Sequence, residues 1–180
     1  MRVIAGEAKG TRLARPASGT RPVSDRAREG VFAALGDLVA EVRCLDLYAG
    51  TGALGIEALS RGASHCVFVD SSLPAIRTIR ENLSRTRFLD RSSVVRADVG
   101  RFLARSSDTF DLAFADPPYA APTGKLRAIL EALLDRLDRN ATFILTRPAR
   151  SSIDVIPVDF KVVRRLSYGD TLVLVCREES

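Results

Sequence analysis

Four aspartates, each within or directly after a short apolar segment, are the residues of this chain best suited to bind a ligand. They are Asp46, Asp70, Asp98 and Asp116. If the apolar segments are strands of a parallel sheet, their carboxyl ends meet at one edge, where such sheets bind ligands. One acid at a strand end is common by chance, but four in succession indicate one shared site.

A glycine-spaced stretch, DLYAGTGALG from Asp46 to Gly55, follows the first apolar segment. Gly50, Gly52 and Gly55 satisfy the pattern G-x-G-x-x-G between a predicted strand and a predicted helix. Glycines there let the backbone approach a ligand, and the free N–H groups at the helix start face it. The spacing fits a dinucleotide and an adenosyl cofactor equally well. We therefore expect cofactor contacts from the loop residues Tyr48, Ala49, Gly50, Thr51 and Gly52.

Two aspartates bear on the choice between these cofactors. Asp70, with Ser71 beside it, lies fifteen residues after Gly55 and is placed to accept hydrogen bonds from ribose hydroxyls, which both cofactors offer. Asp46, at the mouth of the loop, would repel a pyrophosphate but can hold the ammonium group of a methionine moiety. Its presence favours the cationic cofactor S-adenosylmethionine.

Asp98 and Val99 are the predicted contacts of the adenine ring. The Asp98 carboxylate can accept a hydrogen bond from the adenine amine while the flanking backbone reads the ring edge. An alternative is that Asp98 caps the short helix after it, and both roles are compatible.

The sequence Asp116-Pro117-Pro118-Tyr119 ends the fourth predicted strand and is the most specific chemical signal in the chain. Two consecutive prolines fix φ and remove two backbone donors, so their carbonyls stand in a rigid loop. A planar exocyclic amine can donate to the Asp116 carboxylate and the Pro117 carbonyl, which localises the nitrogen lone pair for attack on a methyl group. Tyr119 offers a stacking face for a flipped base, worth roughly 1–3 kcal/mol. These four are the predicted catalytic residues; the alternative is a proline-rich loop without chemistry.

The composition is that of a globular protein, since 46% of the 180 residues are hydrophobic and 27% are charged. No apolar run has the length of a membrane span, and no apolar region with a cleavage site opens the chain, so we expect a cytoplasmic protein. Cys44, Cys66 and Cys176 fall within predicted strands and are interpreted as buried thiols, and His65 as structural. We predict no metal site.

The net charge of +5 is concentrated at the N-terminus. Residues 1–28 hold seven basic and two acidic side chains, and the remaining chain balances twenty against twenty. Such a cluster favours a polyanionic partner such as nucleic acid, although a solvated arm is an alternative interpretation. The basic residues concerned are Arg2, Lys9, Arg12, Arg15, Arg21, Arg26 and Arg28.

The apolar pattern predicts a Rossmann-like α/β fold: a mostly parallel, seven-stranded sheet with helices on both faces and an antiparallel C-terminal hairpin. Strands are predicted at 42–48, 65–69, 93–97, 110–115, 142–146, 160–166 and 171–175, the last two joined by the turn 168–170. Helices are predicted from Ser24, after the glycine loop, at 73–83, around Phe102 and at 126–137. Residues 1–23 form a predicted basic β-hairpin extension, and residues 24–180 the main domain.

Through DLYAGTGALG, Asp70, Asp98 and DPPY, the chain resembles the class I S-adenosylmethionine-dependent methyltransferases. The N-terminal RVIAGEAKG and RPVSDRAREGVF and the closing SYGDTLV extend the resemblance to the bacterial 16S ribosomal RNA (guanine-N2) methyltransferases. This resemblance implies that Asp46, Gly50, Gly52, Asp70 and Asp98 contact S-adenosylmethionine and that residues 116–119 grip the guanine amine. It also implies that the N-terminal hairpin and first helix bind RNA phosphates, and that Ser24 and Asp25 approach the active site.

The expected partner is 16S rRNA or the assembling small ribosomal subunit, with the protein acting as a monomer. Three alternatives stay open. DPPY-type loops also serve methylation of adenine N6 or of a glutamine amide, because each substrate presents a planar amine. An NAD-dependent oxidoreductase would use the glycine loop but leaves DPPY unexplained, and a non-catalytic RNA-binding module would use only the basic arm.

Overall fold

Seven strands form the sheet in the computed structural model, which describes residues 1–15 and 23–178. They are β1 (Arg43–Leu47), β2 (His65–Asp70), β3 (Ser92–Arg96), β4 (Phe110–Ala115), β5 (Leu137–Pro148), β6 (Phe160–Tyr168) and β7 (Thr171–Glu178). Their order across the sheet is β3-β2-β1-β4-β5-β7-β6. The first five strands are parallel, and β7 runs antiparallel to both β5 and β6. The predicted fold class, with its C-terminal hairpin, is therefore confirmed.

The strand order reverses between β1 and β4, the position at which parallel sheets open a crevice for ligands. Asp46 lies in β1, and Asp116 directly follows β4 on one side of it. On the other side, β2 ends at Asp70, and Asp98 lies just after β3. The four aspartates thus lie at the carboxyl ends of four adjacent strands.

Helices cover both faces of the sheet. Within the described residues they are α1 (Asp25–Leu35), α2 (Ala53–Ser60), α3 (Leu73–Thr86), α4 (Val99–Arg105) and α5 (Thr123–Leu134). The helices α1 to α3 share one apolar cluster with Phe68, Phe114 and Ile144 of the sheet. The helices α4 and α5 share a second cluster with Leu45 and Leu145. Ile144 and Leu145 belong to different clusters because successive strand residues point to opposite faces.

Two helix boundaries can be compared with the prediction. The first helix begins as predicted, because Ser24 Oγ accepts a hydrogen bond from Ala27 N at 3.2 Å. The helix predicted at 126–137 ends at Leu134, and Leu137 instead begins β5 opposite Phe110. Leu137 packs against the same apolar cluster as the helix leucines, so its apolar character fitted either element.

The N-terminal segment packs on the core, and the pairing of its two predicted strands is short. Within residues 1–15, Arg2 and Arg12 form an antiparallel bridge, and beside it Val3 N donates to Thr11 O at 3.0 Å. Val3 and Leu13 are each 2% exposed and belong to the cluster of α1 to α3. Residues 16–22, which include Arg21, lie outside the described residues, so the division between 1–23 and 24–180 stays a prediction.

Cys44, Cys66 and Cys176 are buried free thiols in β1, β2 and β7, as predicted. His65 opens β2, and its Nε2 lies 3.0 Å from Ser93 Oγ. Among the described helices, none is long and apolar enough to cross a membrane.

Gly55 in α2 packs so closely on β2 that a side chain does not fit. An added Cβ atom would lie 2.6 Å from Cys66 Sγ and closer still to the Phe68 ring. We expect Gly55→Ala to destabilise the protein by about 1–3 kcal/mol, because overpacking outweighs the better helix propensity of alanine. The free energy of unfolding in urea measures this effect.

Gly124→Ala is the matched control, because Gly124 lies in α5 with no atom within 4 Å of an added Cβ. This variant should be neutral or slightly more stable than the native protein. Equal unfolding free energies for the two variants would contradict the packing argument.

Candidate active site

The glycine loop between β1 and α2 is a tight turn built from left-handed residues. Tyr48, Gly50 and Gly52 have φ angles of 57°, 56° and 74°. Gly52 N donates to Ala49 O at 2.7 Å, and Ala49 N donates to Val69 O at 3.1 Å, which ties the loop to β2. Glycine adopts this conformation without steric cost, which explains two of the three positions. The predicted cofactor residues 48–52 therefore form one fixed turn at the strand ends.

Asp46 is buried beneath this turn, with only 2% of its surface exposed. Its Oδ2 accepts a hydrogen bond from Gly55 N at 3.0 Å. Burial raises the pKa of the Asp46 carboxyl well above its ordinary value, the Gly55 bond opposes this, and the charges of Asp116 and Asp70 raise it further. A buried carboxylate close to like charges is stabilised by a cation, so this position suits an ammonium group.

Asp70 connects the end of β2 to the glycine loop. Its Oδ2 accepts from Gly50 N at 2.9 Å, and its Oδ1 accepts from Ser72 N at 2.8 Å. Each carboxylate oxygen can accept a further hydrogen bond, so Asp70 is oriented by the backbone and can still bind hydroxyl groups. The neighbouring Ser71 is exposed.

Asp98 caps α4, because its Oδ1 accepts a hydrogen bond from Arg101 N at 3.2 Å. The cap is confirmed, and the adenine contact stays a prediction. Its Oδ2 lies 4.0 Å from Lys125 Nζ, and Val99 is 3% exposed at the helix start. Burial and the charge of Asp98 raise the pKa of the half-buried Tyr48 to about 12. Tyr48 and Asp98 therefore lie on the same side of the strand ends.

The loop 116–119 follows β4 beside the glycine loop. Pro117 is buried, whereas Pro118 is exposed and Tyr119 is 47% exposed. The Pro118 carbonyl accepts a hydrogen bond from Ala121 N at 2.8 Å, which closes the loop. The Tyr119 hydroxyl lies 3.1 Å from Thr171 Oγ1, so the aromatic ring is anchored to the C-terminal hairpin at its far end.

Asp116 shares a hydrogen bond with a residue that sequence reasoning missed. The Thr146 hydroxyl, on β5, donates to Asp116 Oδ1. Burial raises the pKa of the Asp116 carboxyl to about 6, and the Thr146 bond opposes that rise. The carboxylate is therefore mostly ionised at neutral pH and can accept a hydrogen bond from an amine.

A cavity of about 300 Å³ opens at Asp116, at the lower end of the range for small-molecule sites. Three chain segments surround it: the start of α1, the loop 116–119 and the turn between β6 and β7. The lining residues are Val23, Ser24, Arg26, Asp116, Tyr119, Ser167, Tyr168, Gly169, Asp170 and Thr171. Asp116 thus lies between this cavity and the carboxylates of Asp46 and Asp70.

Several lining residues were not predicted as site residues. Val23 and the turn 167–171 carry no chemical motif of their own, and only the SYGDTLV resemblance pointed to that turn. Ser24 lines the cavity, whereas Asp25 pairs with Arg28 at 2.9 Å.

Asn82 of α3 is a second missed residue, and it supports the glycine loop. The side chain is fully buried, and its Nδ2 donates to Thr51 O at 2.9 Å. Its Oδ1 accepts from Ala14 N at 2.7 Å, so it also holds the N-terminal segment. An asparagine on the apolar face that carries Ile79 and Leu83 was the available signal.

Comparison with known proteins identifies the family. The model of the family described as Conserved hypothetical protein 95 matches residues 1–177. The chain belongs to this family. It is 36% identical over 185 residues to the putative rRNA methyltransferase YlbH of Bacillus subtilis, covering 99% of each protein. It is 28% identical to the ribosomal RNA small subunit methyltransferase D of Escherichia coli K12, covering 100% of this chain and 91% of that protein.

A solved structure has the same architecture across the whole chain. The putative methyltransferase yhhF from Escherichia coli superposes with a TM-score of 0.89 at 27% identity, covering 100% of this chain and 98% of that chain. These matches to the Conserved hypothetical protein 95 family and to methyltransferases confirm the predicted resemblance and fold.

Most of the predicted RNA-binding residues lie on the surface of this family member. Arg2, Lys9, Arg12 and Arg15 are exposed on the N-terminal segment. Arg26 is exposed at the start of α1 and lines the cavity, so one positive charge lies beside Asp116. Arg21 lies outside the described residues.

The prediction that Arg28 belongs to the RNA interface is corrected by the structure, because the Arg28 side chain is fully buried. Its Nη2 donates to Arg2 O at 2.7 Å and to Asp25 Oδ1 at 2.9 Å. Burial lowers the pKa of Arg28, and the charges of Asp25 and Glu57 oppose that change. Arg28 lies on the face of α1 that buries Val31, a helical neighbour three positions on, and this spacing was visible in the sequence. It joins α1 to the N-terminal segment and is not available to phosphate.

The partly buried carboxyl of Asp116 should make stability depend on pH. Its carboxyl ionises near 3.8 in the unfolded chain and near 6 in the folded protein, so the folded state holds the extra proton between these values. Stability therefore falls as the pH rises through this window. We expect Asp116→Asn to be more stable than the native protein at pH 8 by up to about 3 kcal/mol, and equally stable near pH 4.

Urea unfolding at several pH values measures this difference. Asp90→Asn is the control, because Asp90 is exposed and lies just before β3, at the opposite edge of the sheet. A difference between Asp116→Asn and the native protein that stays constant with pH would exclude the titration of Asp116 as its cause.

Proposed function

We propose that this protein transfers a methyl group from S-adenosylmethionine to the exocyclic N2 amine of a guanine in 16S ribosomal RNA. One observation supports this most strongly. The Asp116 carboxyl, held in a Pro-Pro loop, lies between the acidic glycine loop and a cavity bordered by Arg26. A methyl donor and a flipped base would meet at that carboxyl.

The residues of the glycine loop fit S-adenosylmethionine. Asp46 is buried next to two carboxylates and suits the ammonium group of the methionine moiety. Asp70 would accept from the ribose hydroxyls, and Tyr48 and Asp98 would border the adenine ring. When bound, S-adenosylmethionine supplies an electrophilic methyl group. We propose no metal and no covalent enzyme intermediate.

The loop 116–119 would hold the acceptor. One amine hydrogen would bond to the Asp116 carboxylate and the other to the Pro117 carbonyl, so that the nitrogen lone pair is directed at the glycine loop. Tyr119, half exposed and anchored at Thr171, would stack on the flipped base. Positioning and hydrogen bonding of this kind favour direct displacement. The bond from nitrogen to the methyl carbon would form as the bond from sulfur to that carbon breaks, S-adenosylhomocysteine would leave, and the amine would lose a proton to the Asp116 carboxylate or to water.

The proposal that RNA is the substrate rests on the positive charge of exposed side chains and on the names of the relatives. Arg26 beside the cavity and the exposed Arg2, Lys9, Arg12 and Arg15 would neutralise backbone phosphates. The names of the relatives from Bacillus subtilis and Escherichia coli support ribosomal RNA as the substrate. The name of the Escherichia coli relative supports RNA of the small subunit. We propose that a monomer acts on 16S rRNA or on the assembling subunit.

Asp116→Ala should abolish methyl transfer, because the amine of the base loses its hydrogen-bond acceptor. The affinity for S-adenosylhomocysteine should stay within about threefold of the native value, because Asp116 faces the base and not the cofactor. Labelled S-adenosylmethionine is incubated with unmodified 16S rRNA and with small-subunit particles, and the nucleosides are separated. Calorimetry measures binding of the product cofactor.

The native protein and Asp90→Ala should both yield N2-methylguanosine. N6-methyladenosine in its place would replace our proposal with adenine methylation. Full activity of Asp116→Ala would refute the role of the loop 116–119, and binding of NAD without S-adenosylhomocysteine would refute the methyltransferase assignment.

Arg26→Ala should weaken RNA binding and reduce the slope of log K against log salt concentration by about one, the effect of losing one phosphate contact. Arg105→Ala is the matched control, because Arg105 lies in the last turn of α4 at the opposite edge of the sheet. Filter binding over a salt series measures both. Identical slopes for the two variants would remove Arg26 from the interface.

A further inference from the structure

The hydrogen bond between Thr146 and Asp116 is set by the register of the sheet. Ala115, the last residue of β4, pairs with Leu145 of β5, so Asp116 just after β4 lies beside Thr146 of β5. On its other side, Thr146 pairs with Val173 of β7. Thr146 is 1% exposed, so water does not compete for its hydroxyl. The donor is therefore held in place by strands on both sides.

This arrangement leaves the two carboxylate oxygens of Asp116 in different positions. Oδ1 accepts from the Thr146 hydroxyl, which orients the carboxylate, whereas Oδ2 can accept from another donor. Asp116 also lines the cavity at the start of α1 and the hairpin turn. We propose that Thr146 is a positioning residue, which occupies Oδ1 and so presents Oδ2 of Asp116 to the amine of the acceptor base. This role of Thr146 rests on the proposed function, because Thr146 acts through Asp116.

Charged groups surround Asp116. Asp46 in β1 is near enough that the charge of Asp116 raises the pKa of the Asp46 carboxyl, and Asp70 at the end of β2 has the same effect on Asp46. Around the cavity, α1 contributes Arg26, and the hairpin turn contributes Tyr168 and Asp170, next to Tyr119 of the loop. Burial disfavours an ionised Asp116, whereas the hydroxyl donor of Thr146 favours it.

Thr146→Val tests the proposal, because valine keeps the branched shape and removes only the hydroxyl. Thr146→Ser keeps the hydroxyl and is the conservative rescue. The measurement is kcat/KM for 16S rRNA as a function of pH, together with binding of S-adenosylhomocysteine and the urea midpoint. The last two check that each variant is folded and binds the cofactor product.

For Thr146→Val we expect the acidic limb of the pH profile of kcat/KM to move up by about one pH unit, because the ionised carboxylate loses a hydrogen bond. The shift alone lowers the rate at pH 7 by about twofold. Loss of the fixed orientation of Asp116 should lower the plateau above the limb by about tenfold. Thr146→Ser should keep the native limb. The nearby Asp46 carboxyl could also give rise to an acidic limb. The Thr146 hydroxyl, however, bonds to Asp116. A limb that shifts in Thr146→Val but not in Thr146→Ser therefore belongs to the titration of Asp116.

An acidic limb that coincides for native protein and Thr146→Val, or an equal loss in the serine variant, would overturn the proposal. A native protein that forms no N2-methylguanosine would instead overturn the proposed function. In that case a carbon-13 NMR titration of Asp116 decides independently of activity. A higher carboxyl pKa in Thr146→Val than in the native protein supports the proposal, and an unchanged pKa overturns it.

Discussion

The parallel pairing of β1 with β4 is the constraint on which the site depends. It brings Asp46 and Asp116, from opposite sides of the topological switch point, to neighbouring strand ends. Asp46 is buried and Asp116 is partly buried, the charge of Asp116 acts on Asp46, and the pKa of each carboxyl is raised, mainly by burial. The fold tolerates this cost because the apolar clusters on both faces hold the strands in register. Local electrostatic strain at the sheet edge is therefore a direct product of the strand order.

The cofactor side of the site is also tied to the N-terminal segment through buried polar groups. Glu57 of α2 is fully buried, and its Oε2 and Oε1 accept from Ile4 N at 2.8 Å and Ala5 N at 3.0 Å. Arg61 Nε donates to the same carboxylate at 2.8 Å, which supplies the compensating charge. Because α2 begins at the glycine loop, the segment that carries the exposed basic residues is braced against the helix that positions the loop. A buried charge with several partners is costly to break, so this contact specifies one arrangement of the segment.

Much of this structure could be predicted from local patterns, and the failures have physical causes. The strand-end aspartates were visible because each follows a short apolar segment, and parallel strands align their ends. The wrong placement of Leu137 arose because an apolar residue fits the core from a helix or from a strand. Arg28 was assigned to RNA by its charge, although its spacing from Val31 placed it on the buried face. The turn 168–170 was predicted as a hairpin, but its place in the cavity lining was missed, as was the contact of Thr146 with Asp116. Both come from strand register and from contacts between distant parts of the chain, which composition does not encode.

The cavity beside Asp116 depends for its shape on the contact between Gly30 of α1 and Tyr168 of the hairpin. A Cβ atom at Gly30 would overlap the Tyr168 hydroxyl, so the two elements approach closely only because that side chain is absent. Tyr168 packs against the apolar cluster of α1 and also lines the cavity. The part of the cavity lined by Tyr168 is therefore set by helix packing and by the sheet, since β6 and β7 continue the same sheet as β4 and β5. If the cavity holds the proposed base, walls fixed on both sides by regular elements would restrict how that base enters and would turn its edge toward Asp116.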